Sequence, residues 1–182
     1  MKASPRNVAL LRGINVGGKN MVPMRALASI FVEAGCGDVQ TFIQSGNVIF
    51  SAEKRVLKGL SDCIAKSIEE QFGCRVPVLL RTAVQMKSVV RGNPFLQTGA
   101  AEDSLHVYFL AGVAGAEGIA KLDPERSPPD RFAVMGGEIY LQLANGVAKT
   151  KLTNAYFDMK LGTTSTLRNW RTVLKLYELM VR

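Results

Sequence analysis

The sharpest local feature of the chain is Arg12-Gly13-Ile14-Asn15-Val16-Gly17-Gly18-Lys19-Asn20. From Gly13 it spells G-x-x-x-x-G-K, the beginning of a phosphate-binding loop, in which backbone N–H groups cradle phosphates and a lysine reaches the outer one. The position after the lysine calls for a hydroxyl that binds magnesium, and here it is Asn20. Pro23 also delays the next helix by several residues, whereas such a lysine sits at a helix start. The pattern therefore argues for a donor-rich anion loop bearing Arg12 and Lys19. A glycine-rich chain reversal without a ligand is the bland alternative. Phosphoryl or nucleotidyl transfer at Gly13–Asn20 is the enzymatic one, weakened by the lack of an acidic metal pair.

Two further clusters share this chemistry. Thr41-Phe-Ile-Gln-Ser-Gly-Asn-Val-Ile-Phe50 places Gln44, Ser45 and Asn47 at a turn between two β-rich runs. Its aromatics invite comparison with RNA-recognition modules, but the paired aromatics of the RNP pattern are missing, and Phe42 and Phe50 read as core. Lys149-Thr150-Lys151-Leu152-Thr153-Asn154 and Thr163-Thr164-Ser165-Thr166-Leu167-Arg168-Asn169-Trp170-Arg171 both read as helix starts, with Thr153 or Ser165 as N-caps. Lys149, Lys151 and Arg168 beside those helix starts, with Asn154 and Asn169, add the possibility of holding a phosphate or carboxylate. Trp170 reads as core. His106, the sole histidine, has no evident acid partner or nucleophile. Cys36, Cys63 and Cys74 show no Cys-x-x-Cys spacing, so neither a metal site nor a disulfide framework is expected, and Cys63 and Cys74 read as small buried hydrophobes. No cofactor is named by any motif.

The elements that position these residues follow from periodicity. Residues 7–12 form a strand, and Pro23 to Gly35 encloses an amphipathic helix. A hairpin spans 39–50, a helix 56–72 and a strand 75–80. The order β-α-β-β-α-β is the split-βαβ, ferredoxin-like pattern, followed by an extra helix near 82–90. The second half repeats it in degenerate form: strand 105–110, short helix 114–121, hairpin 131–143, then two helices at 153–161 and 166–181. The fold class is thus α+β, with two ferredoxin-like halves, antiparallel sheets and C-terminal helices, divided into 1–95 and 96–182.

The chain has 182 residues, 47% hydrophobic and 21% charged, and a net charge of +8. That composition excludes collagen-like, disordered and coiled-coil classes. The charge is uneven: +7 over residues 1–95, −4 over 96–144 and +5 over 145–182. Such asymmetry is an argument about anionic partners rather than fold. No apolar run is long enough to span a bilayer, and the N-terminus carries too short an apolar stretch for a signal peptide, so a cytoplasmic protein with no membrane partner is expected.

Leu11-Arg-Gly-Ile-Asn-Val-Gly-Gly-Lys-Asn20, Gln44-Ser-Gly-Asn-Val48, Lys151-Leu-Thr-Asn154 and Arg168-Asn-Trp170 with Thr172-Val173 occur as four ordered blocks. Together they resemble the bacterial domain-of-unknown-function 1697 family. The resemblance implies a compact α+β protein with ferredoxin-like halves, and it carries no activity, cofactor or catalytic residue to transfer. Thr150 stands where the family pattern has serine before Lys151, and it keeps the hydroxyl. The expectation is one anionic site shared by the N-terminal glycine loop and the C-terminal helix starts, for a nucleotide, phosphorylated metabolite or nucleic acid. Its residues are Arg12, Asn15, Lys19, Asn20, Gln44, Ser45, Asn47, Lys151, Asn154, Arg168 and Asn169. A structural or interaction module without a ligand is the remaining alternative, and the sequence leaves oligomeric state open.

Overall fold

The computed structural model describes residues 5–182. Met1–Ser4, part of the stretch read above as too short for a signal peptide, lie outside the described residues. Among the described residues no helix is long and apolar enough to cross a membrane.

Two four-stranded antiparallel sheets carry the fold. The first contains β1 (Arg6–Leu11), β2 (Gly37–Phe42), β3 (Asn47–Ser51) and β4 (Val78–Thr82), in the order β2-β3-β1-β4. Its helices are α1 (Met24–Glu33), α2 (Lys54–Leu57), α3 (Leu60–Phe72) and α4 (Ala83–Gly92). The second contains β5 (Leu105–Leu110), β6 (Arg131–Met135), β7 (Glu138–Gln142) and β8 (Ser165–Asn169), in the order β6-β7-β5-β8, with α5 (Ala116–Ala120), α6 (Asn154–Leu161) and α7 (Trp170–Val181). Both orders are those of the ferredoxin-like fold. The chain clusters into two compact units: residues up to Lys87 with Leu176–Arg182, and Ser88–Lys175. The division therefore falls within α4 and again within α7.

In the first unit Ala9, Leu11, Val48 and Phe50 face Leu27, Ile30 and Phe31 of α1 and Ile64 and Ile68 of α3. Phe31 and Phe50 pack with ring centroids 5.2 Å apart. Val8 and Leu10, which point to the other side of β1, are fully buried as well. That is why this strand reads as an unbroken apolar run instead of an alternating one. In the second unit Phe157 is the hub, with ring centroids 5.4 Å from Tyr108, 5.5 Å from Phe132 and 5.2 Å from Tyr156. Trp170 is buried, as its place on the apolar stripe implied.

Three local expectations are corrected. The helix expected at 56–72 is broken by Gly59 at φ 79°, a left-handed conformation that ends α2 before α3 begins. Residues 166–169, expected to open the last helix, belong to β8, so the second unit is a complete βαββαβ and Ser165 caps no helix. The hydroxyl-rich, β-branched run Thr163–Thr166 favours an extended chain, and pairing with β5 decides the matter. Cys63 is exposed, while Cys36 is buried and Cys74 half-buried.

The units match residue by residue in register. Val8 lies opposite Ile49 and Arg81, as Val107 lies opposite Tyr140 and Arg168. The N–H of Leu11 donates to Gly46 O as that of Leu110 does to Gly137 O, and Arg12 donates to Pro77 O as Ala111 does to Thr164 O.

Candidate functional site

The glycine-rich segment folds into a small hairpin. Val16 and Lys19 bridge, Lys19 N–H donates to Val16 O at 3.1 Å, and Gly17 and Gly18 between them have φ 58° and 73°. Positive φ at both central positions defines a mirror-image turn that favours glycine. One step out, Asn15 N–H donates to Asn20 O at 3.1 Å, and both asparagines are themselves left-handed, at φ 54° and 49°. The loop thus turns two of its amides, those of Asn15 and Lys19, onto its own carbonyls, and α1 starts only at Met24, so this is not phosphate-loop geometry.

Side chains then pin the hairpin. Asn15 Nδ2 donates to Val22 O (2.9 Å) and Gln44 O (3.0 Å), while its Oδ1 accepts from Val22 N–H (2.8 Å). Asn20 Nδ2 donates to Gly13 O at 3.0 Å. Across the β2–β3 turn, buried Asn47 donates to Phe42 O and to Ser45 Oγ, each at 3.1 Å. Gly46 is where this turn meets β1: a Cβ there would lie 2.7 Å from Leu11 Cβ and 2.9 Å from Ile14 Cγ1.

Three loops consequently share one end of the first sheet. The 12–23 loop follows β1, the 43–46 turn is tied to it by Leu11 N–H···O Gly46 and by Asn15, and the 73–77 segment by Arg12 N–H···O Pro77. They carry Arg12, Lys19 and Arg75 and no aspartate or glutamate. Lys19, Gln44 and Arg75 are exposed, while Arg12 and Ser45 are half-buried. Val16, Met21 and Ile43 are exposed beside them. Arg75 escaped the sequence reading because only the pairing of β1 with β4 brings it to residue 12. The corresponding end of the second unit, residues 111–115, 135–137 and 162–164, carries no charge at all.

The C-terminal candidates lie in the second unit, and most serve the fold. Thr153 caps α6 by accepting from Tyr156 N–H, and Asn169 caps α7 by accepting from Thr172 N–H at 2.8 Å. Asn154 Nδ2 donates to Ser165 O and Oγ at 2.9 and 3.1 Å, and Ser165 Oγ donates to Asp158 at 2.6 Å. Thr150 Oγ1 accepts from Leu152 N–H, and Ser127 Oγ from Lys151 N–H, which leaves the Lys151 side chain exposed. Arg168 is buried and donates to Thr166 Oγ1 and Leu167 O at 2.9 and 2.7 Å. Burial pulls its guanidinium down to about 10. Arg81 at the matching place of the first unit is equally buried and donates to Leu80 O at 2.9 Å. His106 Nδ1 lies 3.2 Å from Ser104 O, as Asn7 Nδ2 lies 2.9 Å from Pro5 O in the first unit, and burial lowers the imidazole pKa. Among the described residues no group of three or more His, Cys, Asp or Glu is placed to hold a metal ion.

Fold and site together define an α+β protein of two ferredoxin-like units, one of which displays a cationic, asparagine-pinned loop end. The chain belongs to the family described as "Protein of unknown function (DUF1697)", whose model matches residues 5–140. The match thus includes the Leu11–Asn20 and Gln44–Val48 blocks and stops before Lys151. In fold the chain is similar to the conserved bacterial protein SP0830 from Streptococcus pneumoniae, with a TM-score of 0.66 and 20% identity over 97% of this chain and 98% of that one. At that identity the likeness concerns the fold alone. No curated protein matches the chain.

Proposed function

We propose that the protein binds an anionic ligand, a nucleotide, phosphorylated metabolite or nucleic acid, at the loop end of the first unit. The observation that carries this reading is the grouping of Arg12, Lys19 and Arg75 on loops tied to one another through the 10–23 segment, whose residues include no aspartate or glutamate. Positive charges gathered on one loop end draw anions. The second unit supports the reading as an internal control. It connects its first strand to its first helix with only residues 111–115, whereas the first unit uses 12–23 for the same connection. Chain reversal in this fold needs no twelve-residue loop, so the longer one has another task. The charge is divided accordingly: the first unit holds 13 Lys+Arg against 7 Asp+Glu, a net +6, and the second 10 against 8, a net +2. Among the C-terminal candidates Lys151 has an exposed side chain, and it lies in the second unit.

Titration with labelled duplex oligonucleotides and with nucleotides, at two salt concentrations, tests the proposal. If three phosphates are neutralised, duplex affinity falls roughly 40-fold between about 50 and about 200 mM salt, from a slope near −0.9 per contact. Lys19→Ala or Arg75→Ala then lowers that slope by about one. A phosphorylated small molecule instead saturates at one site, is lost in either variant and is not displaced by oligonucleotide. Absence of binding to both classes overturns the proposal.

A further inference from the structure

We infer that the outer edge of β6 pairs with β6 of a second copy of this chain, joining two second-unit sheets into one eight-stranded antiparallel sheet across a two-fold axis. The register fixes which backbone groups are available. Met135 pairs with Glu138 across the two-residue loop Gly136-Gly137, and the ladder runs unbroken to Arg131–Gln142. A two-residue hairpin closes on a hydrogen-bonded pair, and such pairs alternate along an antiparallel ladder. Met135, Ala133 and Arg131 therefore bond inward to β7, and the N–H and C=O groups of Phe132 and Val134 face outward. Among the described residues, neither residue makes a backbone bond outside the ladder. Such a row is a template for another strand unless it is blunted.

Each of the other edges has a group already taken or a break in register. β2 has a register shift between Gly37 and Gln40, with Asp38 at φ 48° and hydrogen-bonded to Ser51 Oγ. In β8 the carbonyl of Ser165 is taken by Asn154. At the end of β4, Thr82 N–H donates to Gln85 Oε1. β6 has no bulge, proline or acidic residue, and both its ends are fixed. Buried Asp130 accepts from Ala144 N–H and from Ser127 Oγ just before it, and the Gly136-Gly137 turn follows it.

Self-complementarity is what points to a second copy as the occupant. An antiparallel pairing centred on Ala133 sets Phe132 opposite Val134 of the other copy, twice, using all four outward groups in hydrogen-bonded pairs. Aromatic against β-branched is a favourable cross-strand pair. Arg131 then lies opposite Met135, half-exposed Ala133 opposite itself, and no like charges face each other. The strand also belongs to the unit with the smaller net charge, which lessens repulsion between copies.

Ala133 sits at the axis in a non-hydrogen-bonded pair, where side chains come closest. Sedimentation velocity of the full chain from about 1 to about 200 µM is expected to show a monomer–dimer equilibrium, and Ala133→Lys or Ala133→Glu to weaken it by up to about fivefold, since like charges directly opposite are destabilising. Mixing the two variants in equal amounts should restore the dimer through Lys–Glu pairing, a rescue that a folding defect cannot produce. A wild-type chain that stays monomeric throughout, variants that dimerise as well as wild type, or a mixture that fails to recover while each variant keeps its circular dichroism spectrum would overturn the inference.

Discussion

Replacing Asn15 tests whether the loop end is a built structure or a loose connection. The side chain makes three hydrogen bonds of 2.8 to 3.0 Å, to both backbone groups of Val22 and to the carbonyl of Gln44. For half-buried bonds of this kind about 0.5–1 kcal/mol each is a fair measure, or about 1.5–3 kcal/mol for the set. The backbone adds a second contribution, because φ is 54° here and alanine pays about 1–2 kcal/mol to adopt a left-handed conformation that asparagine and glycine tolerate. Asn15→Gly therefore isolates the hydrogen bonds, and Asn15→Ala adds the strain. Urea unfolding should rank wild type above Asn15→Gly above Asn15→Ala, with the two variants separated by about 1 kcal/mol. For a chain of this length a total loss near 3 kcal/mol corresponds to a melting temperature lower by roughly 6–12 °C. Both variants should also weaken anion binding without removing a charge, since Arg12, Lys19 and Arg75 lose their fixed spacing. If Asn15→Ala unfolds within about 0.5 kcal/mol of wild type, the hairpin is not pinned and the reasoning fails.

Two glycines separate close packing from conformation. Gly46→Ala forces a Cβ to 2.7 Å from Leu11 Cβ at φ 74° and should cost about 3 kcal/mol or more in urea unfolding, while Gly17→Ala, with open space around it at φ 58°, should cost only about 1–2 kcal/mol. A similar loss in both would refute the steric account of Gly46. His106 should make stability pH-dependent. Burial holds its pKa below the ordinary 6.5, so the two states bind protons equally above that value. As pH falls through it, the unfolded chain protonates first and the fold loses stability, until the depressed native pKa is passed. His106→Asn, which borrows the side chain of Asn7 from the matching position of the first unit, should flatten thermal stability between pH 7.5 and 5, and an unchanged profile would contradict this.

The fold was legible where periodicity and punctuation agreed. Pro23 and Gly35 bracket α1, and the runs on either side of Gln44-Ser45-Gly46 and Met135-Gly136-Gly137 form hairpins. It was illegible where a short segment had two readings. Ser165–Asn169 has polar residues that look like a helix start, yet Ser165, Thr166 and Arg168 are all buried. Only a sheet that needs a fourth strand beside β5 makes them β8. The same tertiary demand hid the equivalence of the two units: Arg81 and Arg168 match in register, but the segments around them share too little sequence to reveal it.

The asparagines explain why the candidate site was only half legible. The sequence pattern singled out Asn15, Asn20, Asn47, Asn154 and Asn169, and the polar side chains they carry suggested a ligand. In the structure Asn15, Asn20, Asn47 and Asn154 donate to backbone carbonyls of the chain itself, and Asn169 accepts from Thr172 N–H as a helix cap. A motif of asparagine and glycine is therefore first a specification of loop shape, and such a motif marks a site only through what the fixed loop then displays. Here the displayed groups are Lys19 from the motif and Arg75 from outside it, together with half-buried Arg12. The uncharged loop end of the second unit shows that the same fold closes without them. The proposed binding is accordingly to be tested where the two units differ, at 12–23 and 73–77.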